Sequence, residues 1–123
     1  MSALARIVLD SAATVILLGG LYDLLVPKLP SNLVALCGDN EPARKLVREL
    51  LRALGGSLVA IGGTVALLVN ELHDRRRTVV IVLLLVLPSE GVNAISMYRV
   101  GSPFFVPLAI LGLTIVGVLL AWR

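Results

Sequence analysis

The stretch LLLVLPSEGVNAISMYR, residues 83–99, decides how this chain is read, because an acid and an amide interrupt a run otherwise long and apolar enough to cross a bilayer. The apolar run that holds it covers 78–98 and opens on TVVIVLLLVL, which suits facing lipid or filling a bundle on every side. Pro88 withdraws one backbone donor and is expected to kink the helix. Glu90 falls about twelve residues in, roughly 18 Å deep at ~1.5 Å per residue, with Asn93 and Met97 following on the same face. A charge at that depth costs at least about 2.5–3.5 kcal/mol on insertion scales, so the carboxyl must be neutral, paired or hydrated. Three readings stand open. Glu90 is a structural hydrogen-bonder to Asn93 or to the hydroxyl of Thr14 or Thr64; or it pairs with Arg52 or Arg99; or it handles a proton or ligand in a polar cavity, with Asn93 and Tyr98 as companions.

The rest of the chain sets the same frame. Of 123 residues 58% are hydrophobic and 15% charged, and the mean hydropathy is +0.97, far above a soluble domain, in which roughly 45–50% of residues are apolar. Four runs of about 20 apolar residues nearly exhaust the chain. The expected fold is all-α: one transmembrane domain over 1–123, a four-helix bundle with short loops, a long second helix, and helices near 5–26, 41–70, 77–98 and 104–122.

Residues 7–26 form the first run, read as a retained helix because no small-x-small cleavage site leads into a polar domain. Asp10 follows Arg6 by one helical turn, the spacing of a pair at the membrane edge. Asp23 lies near the other end beside Tyr22, an interfacial position. Ala12, Ile16, Gly19 and Asp23 share a narrow face that another helix can approach. Pro27 and Pro30 are expected to end the helix. The polar connection 28–40 still contains LVALC, which places it on the membrane surface.

Asp39 or Asn40 can cap the second long helix, with Glu41 and Pro42 in its first turn. That helix outlasts the hydrocarbon, so its first turns project into the headgroups. There Arg44, Arg48 and Arg52 recur every four residues as a basic stripe, beside a Lys45–Glu49 pair. The stripe either snorkels to lipid phosphates, or binds an anionic headgroup, quinone or cofactor, or meets a partner subunit. Ala53, Gly56, Ala60 and Gly63 form a small-residue stripe for helix packing, within the bundle or against a second copy.

Residues 70–78, NELHDRRRT, make a charged turn whose single histidine, His73, has no second ligand nearby for a metal site. The last span, 104–122, carries no charge; Phe104, Phe105 and Trp122 mark its interfaces, and Ala109 and Gly112 offer a small packing surface. Basic residues are nearly balanced between the two faces, and both termini are placed inside. Cys37 is alone and is read as a bystander. With aromatics at 4%, nucleic acid is not an expected partner; membrane lipids are, together with other membrane subunits or self-association. No metal or cofactor is expected, and no convergent nucleophile or acid-base pair suggests an enzyme.

GLYDLLVPKLP after the first helix and RALGGSLVAIGGTVALLV after a basic lead-in on the second, in four short-looped helices, resemble the DoxX-like group of small membrane proteins. The resemblance implies a four-helix bundle, in some members associated with quinone-linked oxidoreductases. The absence of a convergent reactive constellation, the minimal loops and the abundance of small-residue faces point to a non-catalytic accessory subunit of a larger membrane complex, respiratory or oxidase-type, in the plasma membrane of a prokaryote; a stand-alone binder or proton-coupled transporter of a small or lipophilic ligand using Glu90 and Asn93 is the alternative. The length also resembles that of the small multidrug exporters, but their first-helix acid motif is missing and Asp10 sits at the edge beside Arg6.

Overall fold

The computed structural model describes every residue except Val26, Pro27 and Leu72. The described chain is all-helical, with five helices: α1 (Ala3–Leu25), α2 (Ser31–Cys37), α3 (Glu41–Glu71), α4 (Arg75–Arg99) and α5 (Phe105–Trp122). Four of them, α1, α3, α4 and α5, are long and apolar enough to cross a membrane. The expectation that Val26 belongs to the first helix and that Pro27 helps end it lies outside the described residues.

The fifth helix is a departure from the sequence reading, which treats 28–40 as a connection. Pro30 stands at the N-cap of α2 with its φ of −54° already suited to a helix start, and Gly38 ends the helix at φ 58°, a left-handed angle that costs glycine little. No residue of α2 is buried, so it lies on the bundle as a surface clip. Its Asn32 amide donates to the Val100 carbonyl at 3.1 Å and to Ser102 Oγ at 2.8 Å, tying α2 to the turn between α4 and α5.

Local chemistry starts the long helices. Asn40 rather than Asp39 caps α3, its Oδ1 accepting from the Ala43 amide at 3.1 Å. Asp74 caps α4 by accepting from the Arg76 and Arg77 amides at 3.1 and 3.2 Å, while its other oxygen meets Arg77 Nε at 3.2 Å; the cap satisfies donors that the first turn would leave open. Helix α4 continues through Pro88 to Arg99. Within the spans, hydroxyls turn back onto their own helices: Thr14, Ser57, Thr64 and Thr114 each donate to the carbonyl one turn earlier, so none needs a partner across the bundle.

Packing is organised around α1. It lies along α3 on one side and α5 on the other; α4 joins mainly through α5 and touches α3 only lightly. The sequence reading centres the bundle on the second long helix, and the structure moves that centre to the first. The α1–α3 contact is backbone on backbone. A Cβ on Gly55 would stand 2.6 Å from the Gly20 carbonyl oxygen and from the Leu24 amide nitrogen, and a Cβ on Gly20 would stand 2.8 Å from the Gly55 oxygen. Gly62 repeats the approach two turns along, against Ala13 and Leu17.

Of the two alternatives for the small-residue stripe, packing within the bundle is not what the structure shows, and the stripe faces outward. Ala53, Gly56 and Ala60 are exposed and Gly63 is half-buried, and nothing lies within 4 Å of the space a side chain on Gly56 or Gly63 would occupy. Each Gly-Gly doublet offers two faces about 100° apart; the buried face of α3 runs Gly55, Leu58, Gly62, Val65, Val69. Two smaller expectations also change. Gly19 meets nothing and its neighbour Gly20 makes the contact. Asp10 is held by the Asn70 amide of α3 at 3.0 Å instead of by Arg6.

Adjacent glycines therefore respond differently to the same methyl group. Gly55→Ala is expected to cost about 1–3 kcal/mol through overpacking, and Gly56→Ala to change stability by less than about 0.5 kcal/mol, measured by reversible unfolding in bicelles. Equal costs would contradict this register.

Candidate functional site

Two places hold polar side chains that the packing alone does not explain. The first is inside the bundle. On α4 the residues Val82, Val86, Glu90 and Ala94 form one buried stripe, following helical spacing. Glu90 therefore occupies a core position, 1% exposed. Its neighbour Asn93, one turn on, is half-buried and close to the carboxyl. Neither carboxyl oxygen finds a donor in hydrogen-bonding geometry.

The companions suggested by sequence are committed elsewhere. The hydroxyls of Thr14 and Thr64 bond to Asp10 and Ala60 carbonyls on exposed faces. Arg52 pairs with Glu49 at 2.8 Å, and Arg99 is exposed. Tyr98 is also exposed, 68%, and stacks edge-on against Phe104 with ring centroids 5.2 Å apart. The structure thus brings Asn93 to Glu90 and leaves Tyr98 and the arginines away from it. A buried carboxyl left unsatisfied costs about 1–3 kcal/mol, and Asn93 is the side chain placed to offset that cost.

The second place is the end of the bundle where α1 finishes and α3 begins. The three arginines expected as one stripe separate here, because each four-residue step turns about 40° around the helix, making about 80° from Arg44 to Arg52. Arg52 faces outward to Glu49, which replaces the expected Lys45–Glu49 pair. Arg44 turns towards the helix start, 3.9 Å from Asp39 and 3.7 Å from Glu41. Arg48 lines a cleft of about 20 Å³ with Tyr22, Asp23, Lys28, Leu29, Pro30 and Leu51. The Nε atoms of Arg44 and Arg48 are buried without an acceptor.

Sequence reasoning identifies Asp23 as interfacial and Arg48 as part of a basic stripe, but does not join them. What joins them is the register of α1 on α3 set by Gly20 and Gly55, a contact between segments thirty-five residues apart. Among the described residues no three His, Cys, Asp or Glu side chains gather as a metal site.

If Glu90 has no partner in the bundle, Glu90→Gln removes nothing that stabilises the fold. Unfolding in bicelles is expected to give equal or greater stability for the variant, and Glu90→Lys is expected to fail to insert or fold. A loss of more than about 1 kcal/mol in Glu90→Gln would mean that the carboxyl bonds to something in the bundle.

No protein family model, curated protein or solved structure matches this chain.

Proposed function

We propose that the protein is a multi-pass membrane protein that serves as a non-catalytic accessory subunit, packing against other membrane proteins in a larger complex. The observation that carries this reading is the double use of α3. Its Gly55 and Gly62 face is consumed inside the bundle, while the Ala53, Gly56, Ala60 and Gly63 side remains open along the same length. Between helices in lipid the oil-water driving force is absent, and close backbone approach through small residues does the work. A second helix is the natural occupant of such a side. The DoxX-like resemblance suggests a respiratory or oxidase-type assembly as its source. With four crossings both termini share one face, and the compact cluster of arginines 75–77 supports the cytoplasm as that face although basic residues are nearly balanced between the two sides.

A second reading rests on Glu90. A carboxyl buried in a membrane-crossing helix with both oxygens unpartnered is what a proton- or ligand-handling group looks like, and Asn93 of α4 lies close to it. In that case Glu90→Gln abolishes pH-dependent binding or flux while the fold persists.

The subunit reading is tested by extraction from native membranes in a mild detergent followed by intact-complex mass spectrometry. Other proteins are expected to co-migrate in fixed ratio, and Ala60→Leu, which blocks the open side of α3 at an exposed position, is expected to release them without unfolding the chain. A bare monomer or a homo-oligomer would overturn it.

A further inference from the structure

The cleft at the α1–α3 end combines features that the subunit role does not use. Arg48 and Lys28 both line one small space, and Asp23 lines it with them. Arg44 stands beside the cleft with its charge already met by Asp39 and Glu41. Whichever protonation state Asp23 takes, the cleft stays net positive. Arg48 Nε is a buried donor without an acceptor, and buried donors are ordinarily satisfied. The rest of the lining is amphipathic or apolar: Tyr22, Leu29, Pro30 and Leu51.

Position narrows the ligand. Helix α3 has 31 residues, about 46 Å at ~1.5 Å per residue, against a hydrocarbon thickness of about 30 Å. Its first turns, with Arg48 on the second, therefore stand at headgroup level, where Tyr22 on α1 is 63% exposed. The partly open cleft, about 20 Å³, takes one or two oxygen-sized groups of a ligand whose remainder lies outside it, and no whole organic cofactor.

We propose that this cleft binds the phosphodiester of an anionic membrane lipid with a hydroxylated headgroup. One phosphate oxygen enters between Arg48 and Lys28 and accepts from the Arg48 guanidinium; the headgroup hydroxyls donate to Asp23; the acyl chains run down the apolar surface beside Leu51. Guanidinium and ammonium donors to a phosphate make charge-assisted hydrogen bonds, about twice as strong as neutral ones. A phosphocholine headgroup offers Asp23 no donor, and its own cation leaves the positive charge of the cleft unbalanced. The proposal rests on the membrane placement and is independent of the partner-subunit role.

The test uses the full-length chain in mild detergent, mixed with equimolar phosphatidylglycerol, phosphatidylethanolamine and phosphatidylcholine of identical acyl composition, and reads retained lipid by intact-protein mass spectrometry. One phosphatidylglycerol is expected to be retained about tenfold over phosphatidylcholine, because a net-negative lipid balances the net positive charge of the cleft and a zwitterionic one does not. Arg48→Gln is expected to erase the preference, and Arg76→Gln, at the opposite end of the bundle, to leave it intact. Should Arg48→Gln not fold, as judged by its melting curve, Lys28→Gln carries the same test with a several-fold loss. Equal retention of the three lipids, or a preference that survives both variants, overturns the proposal. So does displacement of phosphatidylglycerol by millimolar inorganic phosphate, which would make the ligand a soluble anion. A chain that stays soluble without detergent would instead refute the membrane placement, an outcome distinct from all of these.

Discussion

The structure depends on the backbone contact between α1 and α3 at Gly20 and Gly55. No side chain separates the two helices there: the oxygen of each glycine lies where the other's Cβ would be. In hydrocarbon there is no gain from hiding oil from water, so helices associate where dispersion contact between backbones is densest. The same contact fixes what else α1 can do. Held against α3, it turns Leu9 into the notch left by Gly117 and so seats α5 on its other side. Helix α4 then hangs on α5, and its seam with α3 is the slightest contact between any two of the long helices that touch.

That order explains where the polar groups end up. Asp10 and Asn70 meet across α1 and α3 because the glycine register brings them level. Asp23 and Arg48 come to one cleft for the same reason, at the other end. Glu90 belongs to α4, outside the tight pair, and lies on that helix's buried stripe with Asn93 of the same helix beside it and no partner from another helix in hydrogen-bonding geometry. Its cost is borne by the part of the bundle that the glycine contact holds least.

Much of the architecture was legible in the chain. Apolar run length against bilayer thickness shows the four long helices, capping chemistry narrows the start of α3 to Asp39 or Asn40, and the charges of 70–78 mark the turn before α4, whose Asp74 cap appears only in the structure. The small helix α2 was hidden because seven residues between Pro30 and Gly38 show no periodicity long enough to read. The choice between Gly55 and Gly56, or Gly62 and Gly63, was hidden for another reason. A doublet satisfies two helix faces equally, and only the facing helix decides which is used. The position of Glu90 on a deep apolar run was visible in sequence; the absence of any partner for it was not, since partners belong to the other helices. The arginine stripe looked continuous at four-residue spacing, yet the angular drift of the helix gave Arg48 and Arg52 different neighbours.

The most direct test of the account is the Gly20–Gly55 contact itself in a bilayer. With the carbonyl and α-carbons of the glycines labelled and assigned, solid-state NMR dipolar recoupling in lipid vesicles is expected to show a strong short-range correlation between the Gly20 carbonyl carbon and the Gly55 α-carbon. A correlation of Gly20 with Gly56 in its place, or none at all, would contradict the packing on which both sites depend.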